Sequence, residues 1–293
     1  MENKQKSLTL KELINNKEIC IEEIIPIIEM EYPSTNIKYL EFLLNSSLNK
    51  TDDTISLEPF SKNISLANYR ISTEFNQYDI DKTKEMGIDI NVLFMNTLYN
   101  EVAQNIIKGI VKNIITLSEF NKIQLNFLDK IKKFILGLFG KYYKKIYTIN
   151  NAQDLYKLIL RESAKIAKTT FRGPADFIIG SPKTISILCD LPAFVFNTFN
   201  ENKTSLYYVG TLNNIKVYTY NYLPVNDVII GRSIKSEESG VYLAIDTKPI
   251  NIEKIQLLKG DSDKLQLNTR YSVFDLGFTA KENYRKITYK NKK

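Results

Sequence analysis

Histidine is missing altogether from this chain of 293 residues. Its absence removes the usual general base near neutral pH and the commonest protein metal ligand. Ser-His-Asp chemistry, Cys-His chemistry and most zinc sites go with it. Tryptophan is also absent, and only two cysteines occur, Cys20 and Cys189. They lie far apart and fit no Cys-x-x-Cys pattern, so neither a metal knuckle nor a redox pair is expected. Both read as small buried hydrophobes in a reducing setting. No charge-free apolar run reaches the length of a membrane span, and Met1 to Lys11 is polar, the pattern of a soluble chain without a targeting segment. Arginine and alanine are sparse beside lysine, asparagine and isoleucine, which reflects AT-rich coding and says nothing of mechanism.

What is present is ordinary for a globular protein: 43% hydrophobic and 25% charged residues, enough for one large domain or two modest ones. The net charge is +7. Lysine and glutamate alternate along most of the chain, as on a solvated surface, so the excess is not by itself a nucleic-acid footprint.

Residues 8–50 read as short helices broken at Pro26 and Pro33. The first carries Leu8, Leu10, Leu13 and Ile14, and the next Ile21, Ile24, Ile25 and Ile28. Thr51 to Asn63 turns polar and reads as a linker or extended arm. From Ile64 the apolar residues alternate as Ile64 and Leu66, then one step out of phase at Tyr69, Ile71, Thr73 and Phe75. This is a long half-exposed strand with a bulge near Ala67 and Asn68. It has too little flanking hydrophobic sequence to bury both faces, so it is expected to project and to find a partner in a neighbouring subunit.

Gly87 then breaks the chain and Asp89 caps the longest regular element. Ile90, Phe94, Leu98, Val102, Ile106, Ile110 and Ile114 form an unbroken i+4 row, which predicts a helix from Ile90 to Ile115 of roughly 39 Å. Residues 121–145 form a basic amphipathic stretch, with Leu128, Ile131, Ile135 and Leu138 near one face and Lys130, Lys132, Lys133, Lys144 and Lys145 around it. Such a stretch either packs on protein with its lysines solvated or lies on an anionic surface. Asn151 caps a further helix with Asp154 at its third position and Leu155, Ile159 and Ile166 inside. The run Asp176 to Gly180 reads as a short buried strand. Ser181 and Pro182 start a helix through Ile185, Leu188 and Cys189. Beyond it the pattern is β: a hairpin of Leu206 to Val209 and Ile215 to Tyr220, then Val228 to Ile230, Val241 to Ile245, Leu265 to Phe274 and Tyr284 to Tyr289. No fixed period repeats.

Four strings occur in a telling order. The stretch ISTEFNQYDIDKTKEMGIDINVLFMNTLYNEVAQNIIKGI, from Ile71 to Ile110, is followed by RGPADFIIGSP from Arg172 to Pro182, then SGVY from Ser239 and TRY from Thr269. Together they resemble the major capsid proteins of T-even-type tailed bacteriophages. That resemblance implies an α+β chain with the Hong Kong 97-type capsid fold. Its expected parts are an N-terminal arm (1–62), an E-loop and its return (63–88), a peripheral domain on a long spine helix (89–175, completed by strands of 240–293) and an axial domain (176–239).

It further implies inter-subunit contact through Ile64, Leu66, Tyr69, Ile71, Thr73 and Phe75, and a spine core of Phe94, Leu98, Val102, Ile106 and Ile110. The strand-to-helix motif heading the axial domain would comprise Arg172, Gly173, Phe177, Ser181 and Pro182. No catalytic residue, cofactor or metal is implied, and no membrane. Partners would be further copies in hexamers and pentamers, then scaffold, portal and decoration proteins, and packaged duplex DNA met without sequence preference. The chain is short for that branch, so the surface insertion the branch carries is expected to be absent.

Three other readings stand beside this one. A pentamer-specific vertex protein or a nanocompartment shell would use the same fold. A metal-dependent carboxylate nuclease would need acidic residues such as Asp246, Glu253 and Asp261 to converge near a lysine. A DNA- or membrane-binding module would rest on 121–145.

Overall fold

The structure, a computed structural model, describes residues 8–16, 21–43, 56–119, 146–170, 173–197, 204–233, 239–256, 262–275 and 280–292. In chain order the helices are α1 (Leu10–Asn16), α2 (Gln77–Glu85), α3 (Ile90–Glu119), α4 (Ala152–Thr170) and α5 (Pro182–Cys189). The strands are β1 (Ile27–Met30), β2 (Ser34–Leu43), β3 (Ser56–Ser65), β4 (Ala67–Asn76), β5 (Ile146–Ile149), β6 (Phe177–Gly180) and β7 (Phe194–Phe196). They continue as β8 (Leu206–Leu212), β9 (Ile215–Tyr220), β10 (Asp227–Gly231), β11 (Val241–Asp246), β12 (Asn251–Gln256), β13 (Ser262–Asp275) and β14 (Tyr284–Asn291). The chain divides into one unit of 1–18, 27–106 and 242–277 and a second of 19–26, 107–241 and 278–293.

The first unit is built on β13. β12 and β4 both pair antiparallel with it, the latter over ten positions from Ala67–Tyr271 to Asn76–Ser262. β11 also neighbours β13, and β1 runs parallel on β11. Met30, Ile64, Leu66, Tyr242, Ala244 and Phe274 pack into one buried cluster here. α1 opens on a reciprocal cap: the Thr9 amide donates to Glu12 Oε2 (2.8 Å) and the Glu12 amide to Thr9 Oγ1 (3.2 Å). Two of the helix's first orphan donors are thereby satisfied, and Leu10, Leu13 and Ile14 are buried.

The second unit carries a seven-stranded mixed sheet in the order β5-β14-β10-β6-β9-β8-β7. Every residue of β6 and β10 is buried, the pattern of central strands covered on both faces. Leu155, Ile159 and Ile166 of α4 and Ile185 and Leu188 of α5 join Ile178, Val217, Val228, Ile230 and Ile287 in its core. α4 starts where the sequence places it, with Asn151 Oδ1 accepting from the Asp154 amide at 2.9 Å. α5 starts with Ser181 as its cap and Pro182 in its first turn.

Several expectations need correction. The second of the N-terminal helices is a single turn at Ile21 to Ile25 followed by strand β1, because Pro26 stops the helix and Ile27 to Met30 find an edge on β11. The polar stretch ending at Asn63 is largely strand: β3 pairs with β2 in register from Ser34–Ser65 to Leu43–Ser56. Polar residues sit easily on a two-stranded hairpin, so composition hides it. The C-terminal strand β14 joins the sheet of the second unit rather than that of β4 and β13. Cys189 is only half-buried; Cys20 and the 121–145 stretch lie outside the described residues.

Candidate functional site

The residues singled out above lie on strands, a long helix and a strand-to-helix turn, so the relevant geometry is how those elements pair and pack. The strand of Tyr69, Ile71, Thr73 and Phe75 does not stand away from the fold. It is β4, and its partner is β13 of the same chain, with Ile71 opposite Leu267 and Thr73 opposite Leu265. Tyr69 stacks on Tyr271 with ring centroids 3.9 Å apart, and Phe75 on Phe94 at 4.9 Å. Burial and the neighbouring Tyr69 push the Tyr271 hydroxyl well above its usual range. Ile64 and Leu66 are buried in the first unit's core. The alternation correctly marks a one-sided strand; it cannot say that its other partner lies some 200 residues on.

The element that pairs with no other described strand is instead the hairpin β2–β3. At its base the Leu66 amide donates to the Pro33 carbonyl (2.8 Å), and Lys62 Nζ donates to the Asp275 carbonyl (2.7 Å). The two ends of the hairpin are therefore held at one place on the rest of the first unit.

α3 is longer than the periodicity predicts, 30 residues, or about 45 Å at 1.5 Å per residue. Asp89 caps it, Oδ1 accepting from the Asn91 amide at 2.9 Å. Leu98, Val102, Ile106 and Ile110 are buried and Phe94 partly so. Tyr99, Ala103, Ile107 and Val111 are buried as well. They form a second i+4 row beside the first, so the buried stripe is wide. At the far end Glu119 accepts from Lys286 Nζ (2.6 Å), which also faces Asp227 Oδ2 (3.1 Å). Burial alone would lower the Lys286 pKa, but bonding to Glu119 and Asp227 outweighs it and holds the ammonium above its ordinary value. Thr288 Oγ1 donates to the other Asp227 oxygen at 2.6 Å.

The strand-to-helix motif has a clear physical basis. Gly173 sits at φ +106, where an added Cβ would come within 2.5 Å of the Arg232 guanidinium, and that guanidinium donates to the Pro174 carbonyl at 2.9 Å. Only glycine meets both the backbone and the space condition. Asp176 then accepts from the Ser233 amide at 2.9 Å. Burial raises its pKa, opposed by that bond and by Arg232. Phe177 is buried against Tyr284, and Gly231 makes room for it, since a Cβ there would lie 2.3 Å from the Phe177 ring. Ser181 Oγ caps α5 and donates to the Val225 carbonyl (3.0 Å), which Thr184 Oγ1 also reaches. The motif is thus a packing device, and Arg172 lies outside the described residues.

Of the acidic residues named for a nuclease, Asp246 and Glu253 are otherwise engaged, and Asp261 lies outside the described residues. Asp246 is ion-paired with Arg270, whose Nε donates to Oδ2 at 2.7 Å. Glu253 accepts from Asn251 at 2.7 Å. Among the described residues no group of three acidic or cysteine side chains converges on a metal-sized site, and no described helix is long and apolar enough to cross a membrane.

Comparison with known proteins points the same way as the elements. The fold is similar to the capsid of cyanophage P-SCSP1u, with a TM-score of 0.56 at 8% identity over 98% of this chain and 89% of that one. It is also similar to the virus-like particle from Pyrococcus furiosus, with a TM-score of 0.53 at 8% identity over 95% and 98% of the two chains. A third likeness is to Microbacterium phage Oxtober96, at 0.52 and 13% identity over 92% and 90%. These likenesses establish the α+β Hong Kong 97-type fold. No curated protein matches by sequence. Residues 68–290 match the family described as major capsid protein Gp23, from β4 through the long helix and both sheets, and the chain belongs to that family of phage major capsid proteins.

Proposed function

We propose that copies of this chain assemble into hexameric and pentameric capsomers, and these into the icosahedral head that encloses phage DNA. Family membership carries the shell-building and self-association parts of this reading and places the chain in the virion capsid. The finer steps rest on one observation: the hairpin β2–β3, from Ser34 to Ser65, pairs only with itself among the described strands while its base is fixed to the first unit. A two-stranded ribbon is marginal in water by itself and exposes two unpaired edges. In a self-associating chain it therefore acts as the E-loop, lying on the next subunit.

In this assignment the first unit is the peripheral domain, the second unit the axial domain, and α3 the spine helix, whose residues fall in both. The contact role expected of residues 64–75 passes to 34–65, because β4 already has its partner in cis. Scaffold, portal and decoration proteins would meet the assembled shell, and no step requires a catalytic residue. The test is to replace residues 36–63 by a short glycine-serine turn and to image the product by electron microscopy. Folded subunits that make no capsomers or particles are expected; normal particles would refute the role given to the hairpin. Pentamers alone, from the intact chain, would favour a vertex protein, and closed particles holding protein cargo instead of DNA a nanocompartment.

A further inference from the structure

α2 is a regular helix with no buried residue. Its stability at this site comes from a reciprocal cap, Asn76 Oδ1 accepting from the Asp79 amide (2.9 Å) and Asp79 Oδ2 from the Asn76 amide (3.0 Å). Tyr78 and Met86 are 67% exposed, and Ile88, Val92 and Leu93 between 42% and 43%. Five large apolar side chains thus face outward from α2, the turn after it and the first turn of α3. Asp79, Asp81, Glu85 and Asp89 flank them, against only Lys82 and Lys84. An apolar surface with an acidic rim calls for an apolar partner with basic flanks.

Such a partner stands in this chain's own sequence. Residues 121–145 hold seven lysines and one aspartate around Leu128, Ile131, Ile135 and Leu138. Reach decides whether it comes from the same copy. Glu119 is held by Lys286, and Ile146 pairs with Thr288, so both ends of the intervening stretch are tied to neighbouring positions on β14. A stretch of 26 residues tied in this way has legs of about 13 residues. Each leg spans roughly 43 Å if fully extended and about 20 Å if helical. Leu93 is about 39 Å up the α3 axis from Glu119. Even at full extension the chain carries Leu128 no more than about 30 Å from Glu119 and Leu138 no more than about 26 Å from Ile146, short of Leu93 in their own copy.

Resting on the shell reading above, the geometry points to docking in trans: the acid-rimmed apolar surface of residues 78–93 receives the basic amphipathic stretch 121–145 of a second copy. The contact joins subunits by apolar burial, and its charge rim fixes which way round they meet.

The test uses assembled full-length particles made from equal amounts of isotopically light and heavy subunits, carrying Val92→p-benzoylphenylalanine as a photo-crosslinker. Mass spectrometry should find residue 92 joined to a peptide within 121–145, with mixed light-heavy pairs making up about half of the cross-links. In parallel, Lys130→Glu, Lys132→Glu and Lys133→Glu together should abolish particles, and adding Asp81→Lys and Glu85→Lys should restore them. Particles whose cross-links are only within one copy, or run to the 34–65 hairpin, to DNA or to lipid, would overturn the docking while leaving the shell reading intact. Failure of the unsubstituted chain to form any particle would overturn both.

Discussion

Val102 is fully buried on the stripe of α3 that faces the core. Replacing it with Asp puts an unpaired charge where no partner waits, at a cost of several kcal/mol against a whole-domain stability of about 5–15. Val102→Asp should give insoluble protein or lose cooperative unfolding, as read by solubility and thermal denaturation; a soluble, cooperative variant would show that the stripe is not the strut of the fold. Lys286 gives a prediction in pH. Its pKa is raised in the folded state, so its contribution is complete below the unfolded lysine value of about 10.4 and is lost as pH climbs through the higher folded value. The wild-type melting temperature should therefore fall above about pH 10.5 by more than that of Lys286→Met. At neutral pH the variant, which removes the Lys286 ammonium from Asp227 and Glu119, should be less stable by about 1.5–3 kcal/mol. At Gly173, alanine must adopt φ +106 and displace the Arg232 guanidinium. Gly173→Ala should cost about 1–3 kcal/mol in denaturant unfolding.

Elements differ in how openly their sequences announce them. α4 and α5 are legible because their caps are local: Asn151 with Asp154, and Ser181 with Pro182, satisfy orphan donors whatever packs around them. Asn151→Ala should accordingly cost about 1 kcal/mol in thermal or denaturant unfolding. The hairpin turn is equally local, though tighter than the five-residue loop the sequence suggests. Asn213 and Asn214 at φ 48 and 66 make a two-residue turn, and Gly210 belongs to β8. Strands β1, β5, β7 and β12 are short or polar, and only a neighbouring edge makes them strands. β4 illustrates the limit best. Deleting Ser65 to Asn76 would remove the ten-position pairing with β13. That deletion should destroy the cooperative unfolding of the first unit, whereas loss of 36–63 should spare it. The contrast, read by calorimetry on the two deletions, separates the folding role of β4 from the assembly role of the hairpin.

For the molecule as a whole, charge bears on what the shell encloses. In the proposed head a subunit would meet packaged DNA in every orientation, so it could gain only from neutralising phosphates, which carries no base preference. An excess of +7 spread among acidic residues should give weak duplex binding by the unassembled subunit. That binding should be equal for two unrelated sequences and lost by moderate salt in a titration. A hundredfold preference for one sequence would show that recognition of DNA, rather than enclosure of it, is the chain's task.

What the sequence determined by itself was the set of elements with local causes. The i+4 row of α3, the capped helices and the alternation of β13 and β4 all follow from backbone geometry and from which side chains can be buried. The four strings in family order point to the shell fold, and at Gly173 the reason is physical, a backbone at φ +106 that favours glycine. Tertiary structure alone decided the pairings. That β4 lies on β13, that β14 crosses to the other sheet, and that 34–65 is left to pair with itself depend on contacts between residues distant in sequence. A strand's edge hydrogen bonds are chemically alike at every residue, so a strand's own pattern says which face is buried but not which edge it will find.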